Sequence, residues 1–243
     1  MNNLLKQGER FDDLELDGIG VIQSKSGYAF TSDSVLLANF IKAGHKDNCI
    51  ELCAGCGVIS IIMGHKKKPK SLTLVEIQGS QADRAKRSFA ANKMSATVIS
   101  SRLQGVHKTL GEYCFDVCFA NPPYRPKEQA SSRNTEVATS THEFEVNLHE
   151  LVFEAQKLLK FGGRFFVVFP ASRLAELMYE LVSQKLEPKE MALVLPTSEK
   201  PAELVLVSAT KGGKHGMKVL PSIIQNDESG NMTPMMRAIY GKN

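Results

Sequence analysis

A chain of 243 residues is long enough for one large domain and short for two of ordinary size. Hydrophobic residues make up 42% of it and charged residues 23%, a balance that excludes a disordered, collagen-like or disulfide-scaffold protein. The net charge of +4 permits an anionic partner without requiring one.

The amino terminus, the apolar runs and the cysteines bear on where the protein resides. The first residues lack the apolar core of a secretory signal, and no later apolar stretch approaches the ~18–20 residues of a membrane span. Five cysteines, an odd number, fit a reducing compartment in which thiols stay free. The sequence therefore predicts a cytoplasmic protein with no membrane partner.

The first half of the chain alternates strands and helices. Residues 48–58 pass from an apolar run into a turn of small residues, after which an apolar pattern resumes, which predicts strand, turn and helix. A second strand is predicted over 72–77, and good helix formers predict a helix over 78–94. Alternation at this spacing indicates βαβ units and a parallel sheet.

The second half continues this pattern around a proline turn. Strands are predicted over 97–100 and 116–120, and the second runs into Asn121–Tyr124, where two prolines force a turn. A polar loop over 125–147 follows. We then predict a helix from 148 that ends at Gly162-Gly163, a strand over 164–169, a helix over 171–185, and strands over 191–195 and 204–209 that pair antiparallel. The fold expected is α/β, with a Rossmann-like, seven-stranded, mostly parallel sheet, an antiparallel edge strand and helices on both faces.

A turn of small residues, Glu51–Gly57, follows the first strand of this core. Small residues let a ligand approach the backbone closely, and the helix that follows offers free N–H groups. Nineteen residues past Gly57, Glu76 ends the next strand, where a carboxylate can accept hydrogen bonds from both ribose hydroxyls of an adenosine-containing cofactor. This pair fits a nicotinamide dinucleotide or S-adenosylmethionine; Ser60, in place of the third glycine of GxGxxG, weakens the first. A plain structural turn beside a solvated glutamate is the remaining alternative.

The motif Asn121-Pro122-Pro123-Tyr124 ends the fourth strand in a rigid turn. It suits methylation of a planar exocyclic amine, whose lone pair is delocalised into the ring. The Asn121 side-chain oxygen and the Pro122 carbonyl can accept hydrogen bonds from both N–H groups of the amine, which favours its pyramidal, reactive form. Tyr124 can stack on an extruded base. Holding the nitrogen in line with a sulfonium methyl lowers the remaining barrier, since effective molarities reach about 10⁵–10⁸ M, so no metal is needed. The structural alternative is a proline turn with a buried tyrosine.

With these residues the chain resembles class I S-adenosylmethionine-dependent methyltransferases of the NPPY type, over about residues 10–210. Three further stretches are similar to the bacterial family of valine-tRNA adenine-N6 methyltransferases, which modify the adenine beside the anticodon. They are Gly8–Leu14, Gly27–Ala38 ahead of the glycine turn, and Glu199–Ala202 before the last strand.

The resemblance implies S-adenosyl-L-methionine as the cofactor and tRNA as the partner. The implied catalytic residues are Asn121, Pro122 and Tyr124. The implied cofactor-binding residues are Phe30, Asp33, Glu51, Cys53, Ala54, Gly55, Gly57, Glu76, Ile77 and Asn121. The implied substrate-binding residues are Pro123, Tyr124, Arg125, Lys127 and Arg133. We expect a single domain over 1–243, made of an amino-terminal extension that shapes the cofactor pocket (1–45), a Rossmann-like core (46–210) and a carboxyl-terminal tail (211–243).

Two positions depart from the family pattern. Cys53 stands where the family usually has glycine, so a bulkier side chain lines the turn. The acidic residue that commonly follows the third strand and contacts the cofactor's adenine amine is replaced in Ser100-Ser101-Arg102. Either cofactor affinity is reduced or another group, such as Gln104, substitutes.

Other residue patterns compete with this interpretation. Cys49, Cys53 and Cys56 match the C-x3-C-x2-C spacing of iron–sulfur ligands. In a strand, however, Cys49 and Cys53 would lie ~13 Å apart, which disfavours a cluster. The basic run at 66–70 should connect a helix to the second strand at the amino-terminal ends of the strands, away from the ligand. His107, His142 and His149 show no ligand spacing and are expected at the surface.

The sequence thus predicts an S-adenosylmethionine-dependent methyltransferase acting on adenine N6 in tRNA. Guanine N2 in ribosomal RNA, adenine N6 in DNA and a glutamine amide in protein are alternative planar nitrogens for the same turn. A cofactor-binding module that assists an RNA-binding protein without catalysis is the alternative from a different class.

Overall fold

The computed structural model describes residues 4–27, 29–123 and 146–242. Its strands are β1 (Glu9–Leu16), β2 (Ile19–Ser24), β3 (Asn48–Leu52), β4 (Ser71–Glu76), β5 (Thr97–Ser100), β6 (Phe115–Ala120), β7 (Leu159–Pro170), β8 (Leu186–Leu195), β9 (Leu204–Lys211), β10 (Lys218–Val219) and β11 (Ile223–Ile224). Its helices are α1 (Ser32–Phe40), α2 (Val58–Lys67), α3 (Gly79–Ala91), α4 (Val106–Leu110), α5 (Leu148–Leu158), α6 (Leu174–Ser183) and α7 (Pro234–Ile239).

Seven long strands form the central sheet in the order β5-β4-β3-β6-β7-β9-β8, with the short β10 and β11 beside β8. Six of the seven run parallel, and β9 is antiparallel to both of its neighbours. The predicted mostly parallel, Rossmann-like sheet is therefore confirmed. The antiparallel strand lies inside the sheet rather than at its edge, because β9 inserts between β7 and β8, and the two short strands extend the sheet beyond seven.

Helices cover both faces of the sheet, as the sequence predicts. Helices α1, α2 and α3 pack with the β1–β2 hairpin on one face, where Leu37, Ile62 and Phe89 are buried. Helices α4, α5 and α6 cover the other face through buried residues such as Leu151 and Leu177. The strands between these layers are apolar on both sides, which explains their nearly continuous apolar sequences.

The junction of α5 and β7 differs from the sequence prediction. Helix α5 begins with a capping box between Asn147 and Glu150, and it ends at Leu158. Strand β7 starts at once, so Gly162 and Gly163 lie within the strand rather than at a helix end. Gly162 has a φ of +77°, and the pairing with β6 is irregular here, so the glycines form a bulge instead of a helix cap.

His107 is buried, so its predicted surface position is wrong. Its Nδ1 lies 2.8 Å from a carboxylate oxygen of Glu154, which also accepts the backbone N–H groups of Gly105 and His107. Glu154 thus satisfies the first turn of α4 from a neighbouring helix, a contact that no sequence spacing reveals. His149 is exposed as predicted, and His142 lies outside the described residues.

Within the described residues, no helix combines the length and apolar character required to cross a bilayer.

Candidate active site

The candidate site lies where the carboxyl ends of β3, β4 and β6 meet. The chain leaves β3 for β4 and β5 on one side and returns to β6 on the other, so the crevice beyond β3 is the switch point at which open α/β sheets bind ligands. Leu52 of β3 is paired with Ala120 of β6 and with Val75 of β4. The three predicted segments, which follow these paired residues, are therefore neighbours in space.

The turn after β3 is made of left-handed backbone conformations. Cys53, Gly55 and Gly57 have φ values of +57°, +55° and +81°. The Ala54 N–H donates to the Val75 carbonyl at 3.0 Å, and the Gly57 N–H donates to Ala54 at 2.9 Å. Among the residues that the structure describes, a Cβ added at Gly55 would meet no atom within 4 Å apart from those of its chain neighbours, so there is open space above this part of the turn. The backbone is thus accessible to a ligand.

Cys53 carries the conformational cost of this turn, because a residue with a Cβ pays roughly 1–2 kcal/mol in the left-handed region. We therefore expect Cys53→Gly to raise the free energy of unfolding by about 0.5–1 kcal/mol. The gain remains because the backbone strain that is relieved is larger than the conformational-entropy cost of adding a glycine to the unfolded chain. Urea unfolding measures this. Cys53→Ala is the matched control, since it removes the thiol and keeps the Cβ. Equal free energies of unfolding for the Gly and Ala variants would show that the backbone at residue 53 is not strained.

Glu51 supports the turn from below and is almost completely buried. Its carboxylate accepts hydrogen bonds from the backbone N–H and the hydroxyl of Ser60, in the first turn of α2. Burial raises the pKa of Glu51 to about 8; the Ser60 hydrogen bonds oppose this rise and the negative charge of Glu76 adds to it. The predicted ligand-facing carboxylate is therefore also a cap for the helix at the site.

The raised pKa of Glu51 makes stability depend on pH with a defined sign. A carboxyl whose folded pKa lies above its ordinary value stabilises the fold fully below about pH 4.5, and this contribution is lost as pH rises through about 8. Glu51→Gln keeps an oxygen for Ser60 and removes the ionisation. In urea unfolding at pH 5, 6.5 and 8, we expect the variant to gain stability relative to the parent as pH rises. A difference that is constant over this range would contradict the assignment.

Glu76 ends β4 beside the glycine turn and is buried. One carboxylate oxygen accepts the Gly55 N–H at 2.7 Å, and the other accepts the Gln78 N–H at 2.8 Å. These two bonds orient the Glu76 carboxylate, a group that has about four acceptor positions in all. Ile77 follows it and is partly exposed.

The turn after β6 brings Asn121 to the same edge. Its side-chain Nδ2 lies 3.2 Å from the hydroxyl of Ser34 in the first turn of α1. With the amide nitrogen on Ser34, the amide oxygen is the acceptor end of this side chain. Pro122 is buried and Pro123 is partly exposed, so the turn is anchored in the core. Tyr124, Arg125, Lys127 and Arg133 lie outside the described residues.

The segment before α1 reaches the site from the amino-terminal side. Phe30 is partly buried and packs against the core on the α1 face. Asp33 is buried in the first turn of α1, and burial together with the negative charge of Asp33 raises the pKa of Tyr240, which follows α7. Sequence reasoning alone did not identify Ser34 or Gln23, which hold this segment. The Asp17-Gly18 dipeptide, a hairpin-turn signal between β1 and β2, was the available clue to Gln23.

Two predictions from the sequence concern the cysteines with iron–sulfur spacing and the residue that replaces the missing acid after β5. Cys49 and Cys56 are buried, and burial raises the pKa of each to about 12, which keeps them as thiols. Among the described residues, no group of three His, Cys, Asp or Glu side chains is arranged to hold a metal ion. Gln104, the proposed substitute for the missing acidic residue, is exposed and donates to Glu150 at 3.0 Å.

The basic run lies where the sequence predicted. Helix α2 ends at Lys67 and β4 begins at Ser71, so the run Lys66–Lys70 forms the end of α2 and its connection to β4, at the amino-terminal ends of the strands. Lys66 donates to Asn39 and to the Ile239 carbonyl, which ties α2 to the carboxyl-terminal residues.

An open sheet of this order, with a glycine turn after its central strand and a carboxylate after the next, is the architecture of Rossmann-like methyltransferases. The Methyltransferase small domain family model matches residues 26–188, well over half of the chain, and the chain belongs to this family. It is an S-adenosylmethionine-dependent methyltransferase.

Curated relatives and solved structures agree with this class. The chain is 26% identical over 205 residues to the tRNA1(Val) (adenine(37)-N6)-methyltransferase of Vibrio vulnificus (strain CMCP6), covering 80% of this chain and 83% of the relative. It is 27% identical over 135 residues to the Ribosomal RNA small subunit methyltransferase C of Actinobacillus pleuropneumoniae, covering 55% and 36%.

The fold is similar to a predicted O-methyltransferase from Agrobacterium tumefaciens, with a TM-score of 0.70, 20% identity and 86% and 95% coverage of the two chains. It is also similar to M. jannaschii TYW2 in complex with AdoMet, with a TM-score of 0.55, 11% identity and 84% and 86% coverage.

The residues at the site fit S-adenosylmethionine. The open space at Gly55 leaves room against the backbone, and the buried Glu76 carboxylate, oriented by two N–H donors, is suited to accept hydroxyl groups. The glycine turn leads directly into the first turn of α2, whose N-terminal end favours a carboxylate such as that of a methionine moiety.

Proposed function

We propose that this protein methylates the exocyclic N6 of an adenine in tRNA. The proposed adenine is the one that the relatives' names give, adenine 37 of tRNA1(Val). The observation that carries the proposal is the position of Asn121 and Pro122 at the carboxyl end of β6, directly beside the glycine turn. An acceptor pair for an amine thus lies next to the site for a methyl donor. A tRNA substrate agrees with the predicted cytoplasmic location.

In this proposal each predicted residue has a separate task. Phe30 and Asp33 flank the cofactor, and Glu76 and Ile77 lie at its ribose. The turn contacts its methionine part through Cys53, Ala54, Gly55 and Gly57, and the buried Glu51 acts there by holding the turn and the start of α2 in place. S-adenosylmethionine, when bound, supplies an electrophilic methyl group.

The acceptor groups prepare the nitrogen. The Asn121 side-chain oxygen and the Pro122 carbonyl accept hydrogen bonds from the two N–H groups of the amine. These hydrogen bonds localise the lone pair of the nitrogen and aim it at the methyl donor. Because Pro122 is buried and Asn121 contacts Ser34, this acceptor pair is held in place before the substrate arrives. Pro123, Tyr124, Arg125, Lys127 and Arg133 complete the proposal as the substrate-binding residues.

Incubation with methyl-labelled cofactor tests the acceptor class. Total tRNA, ribosomal RNA, DNA and ribosomal protein are offered separately, and the labelled product is digested and identified. We expect label in tRNA as N6-methyladenosine, located by mapping to the position beside the valine anticodon. Label only in another fraction, or in no fraction, would overturn the proposal.

A second acceptor is favoured by a specific finding, the similarity to a ribosomal RNA methyltransferase over 135 residues. N2-methylguanosine in the ribosomal RNA fraction, with none in tRNA, would support that function instead. The cofactor and the Asn121–Pro122 acceptor pair would then have the same tasks with a different base.

A further inference from the structure

Gln23 is a polar side chain buried inside the amino-terminal hairpin, with an exposed fraction of 2%. Its side-chain oxygen accepts the backbone N–H of Phe30 at 2.8 Å, and its side-chain nitrogen donates to the Asp12 carboxylate. Arg10 donates to both oxygens of that carboxylate, at 2.7 and 3.0 Å. A chain of hydrogen bonds therefore runs from Arg10 through Asp12 and Gln23 to the backbone of Phe30.

The residues after Phe30 connect this chain to the candidate site. Only a few residues separate Phe30 from Ser34, whose hydroxyl lies 3.2 Å from the Asn121 amide nitrogen. Asp33 is buried between them in the first turn of α1. One end of the 29–34 segment is thus held by the hairpin and the other by the turn that ends β6.

We propose that Gln23 is a positioning residue, which fixes the 29–34 segment in the conformation that binds S-adenosylmethionine. This inference deepens the proposed function, and it rests on that function's placement of the cofactor beside Phe30 and Asp33. A glutamine suits the task because it accepts from a backbone amide at one end and donates to a carboxylate at the other. A buried amide that loses its acceptor favours conformations in which it reaches water.

The hairpin has other anchors, so Gln23 is not its only attachment. The Ile22 N–H donates to the Ser88 hydroxyl at 2.8 Å, and the Asn92 side chain bonds both the N–H and the carbonyl of Gly20. These contacts hold β2 against α3. Gln23, in contrast, points its amide oxygen to the segment that leads into α1.

The first test replaces Gln23 with methionine, which is similar in size and cannot replace either hydrogen bond. By calorimetry we expect the Kd for S-adenosylmethionine to rise about tenfold, and hydrogen exchange at the Phe30 amide in the cofactor-free protein to accelerate by a similar factor. At saturating cofactor, kcat should stay within about twofold. Asn92→Ala is the matched control, because it loosens the same hairpin at Gly20 and should leave the Kd unchanged.

A pair of variants that exchanges the amide and the carboxylate between Gln23 and Asp12 distinguishes a positioning role from a general loss of stability. Gln23→Glu sets a second carboxylate against Asp12 and should weaken cofactor binding at least as much as Gln23→Met. Adding Asp12→Asn reverses the donor and acceptor, so the double variant should recover the parent Kd within about threefold and the slow exchange at Phe30.

The possible outcomes are distinguishable. Cofactor binding that is unchanged in Gln23→Met overturns the inference, and so does a Kd that rises equally in Asn92→Ala or a double variant that does not recover. Parent protein that does not bind S-adenosylmethionine instead contradicts the cofactor placement in the proposed function. Rescue of both the Kd and the exchange rate supports the positioning role.

Discussion

In Asn121→Ala, transfer of the methyl group to the acceptor RNA should slow by about 10²–10³-fold in kcat. The substitution removes a fixed acceptor that acts on the amine as it becomes tetrahedral, and loss of one preorganised polar contact of this kind has effects of that size. Single-turnover kinetics with saturating cofactor and RNA measure the step directly. Asn121 also contacts Ser34, so the missing side chain removes a contact with the first turn of α1 as well.

Two variants make this result specific. Asn121→Asp keeps an acceptor oxygen at the same reach and should recover part of the lost rate. Asn39→Ala removes an asparagine from α1 whose side chain bonds the Val35 carbonyl and Lys66, both outside the candidate site, and its kcat should equal that of the parent. If Asn121→Ala retained the parent rate while N6-methyladenosine was still formed, Asn121 would have no part in the chemistry.

Glu76→Ala should raise the Kd for S-adenosylmethionine by about 100-fold. Two hydrogen bonds from ribose hydroxyls to a buried carboxylate are each worth about 1.5–3 kcal/mol, and a loss of about 3 kcal/mol corresponds to that factor. Calorimetry on the RNA-free protein measures it. Asp83→Ala is the control, because Asp83 is a carboxylate on α3 whose described ion pairs are with Lys6 and Arg87 at the surface.

Glu76 also orients the glycine turn, so binding to a sugar-modified ligand is needed to isolate the ribose contact. S-adenosylhomocysteine and its 2′-deoxy analogue form a thermodynamic cycle with the parent and Glu76→Ala. We expect the parent to prefer the hydroxylated ligand and the variant to bind both nearly equally. An equal preference in the two proteins would show that Glu76 acts only on the turn.

Much of the core was predictable because its signals are local. The apolar runs that become β3, β4 and β6 are buried on both sides, which requires no knowledge of their neighbours. The small-residue turn and the proline turn interrupt those runs with residues that allow few conformations. The carboxyl ends of parallel strands lie at one edge of a sheet. The parallel topology alone therefore predicts that Glu76 and Asn121 lie at a common edge.

Features that depend on distant contacts were not predictable. His107 is buried because Glu154, 47 positions away, accepts from its ring and from the backbone of α4. Gly162 and Gly163 have the local signature of a helix end, yet pairing with β6 draws them into a strand. Likewise β9 becomes an inner strand because β7 and β8 both pair with it.

At the site, the sequence by itself determined the chemical groups: the glycine turn, the carboxylates of Glu51 and Glu76, and the amide and prolines of the turn after β6. Only the tertiary structure decided how these groups are held. The Ser60 contact through which Glu51 caps α2, the Ser34 contact on Asn121 and the Gln23 contact on Phe30 each join separate elements. The physical reason is that residue type is encoded locally, whereas a hydrogen-bond partner for a buried group is chosen by the packing of the whole chain.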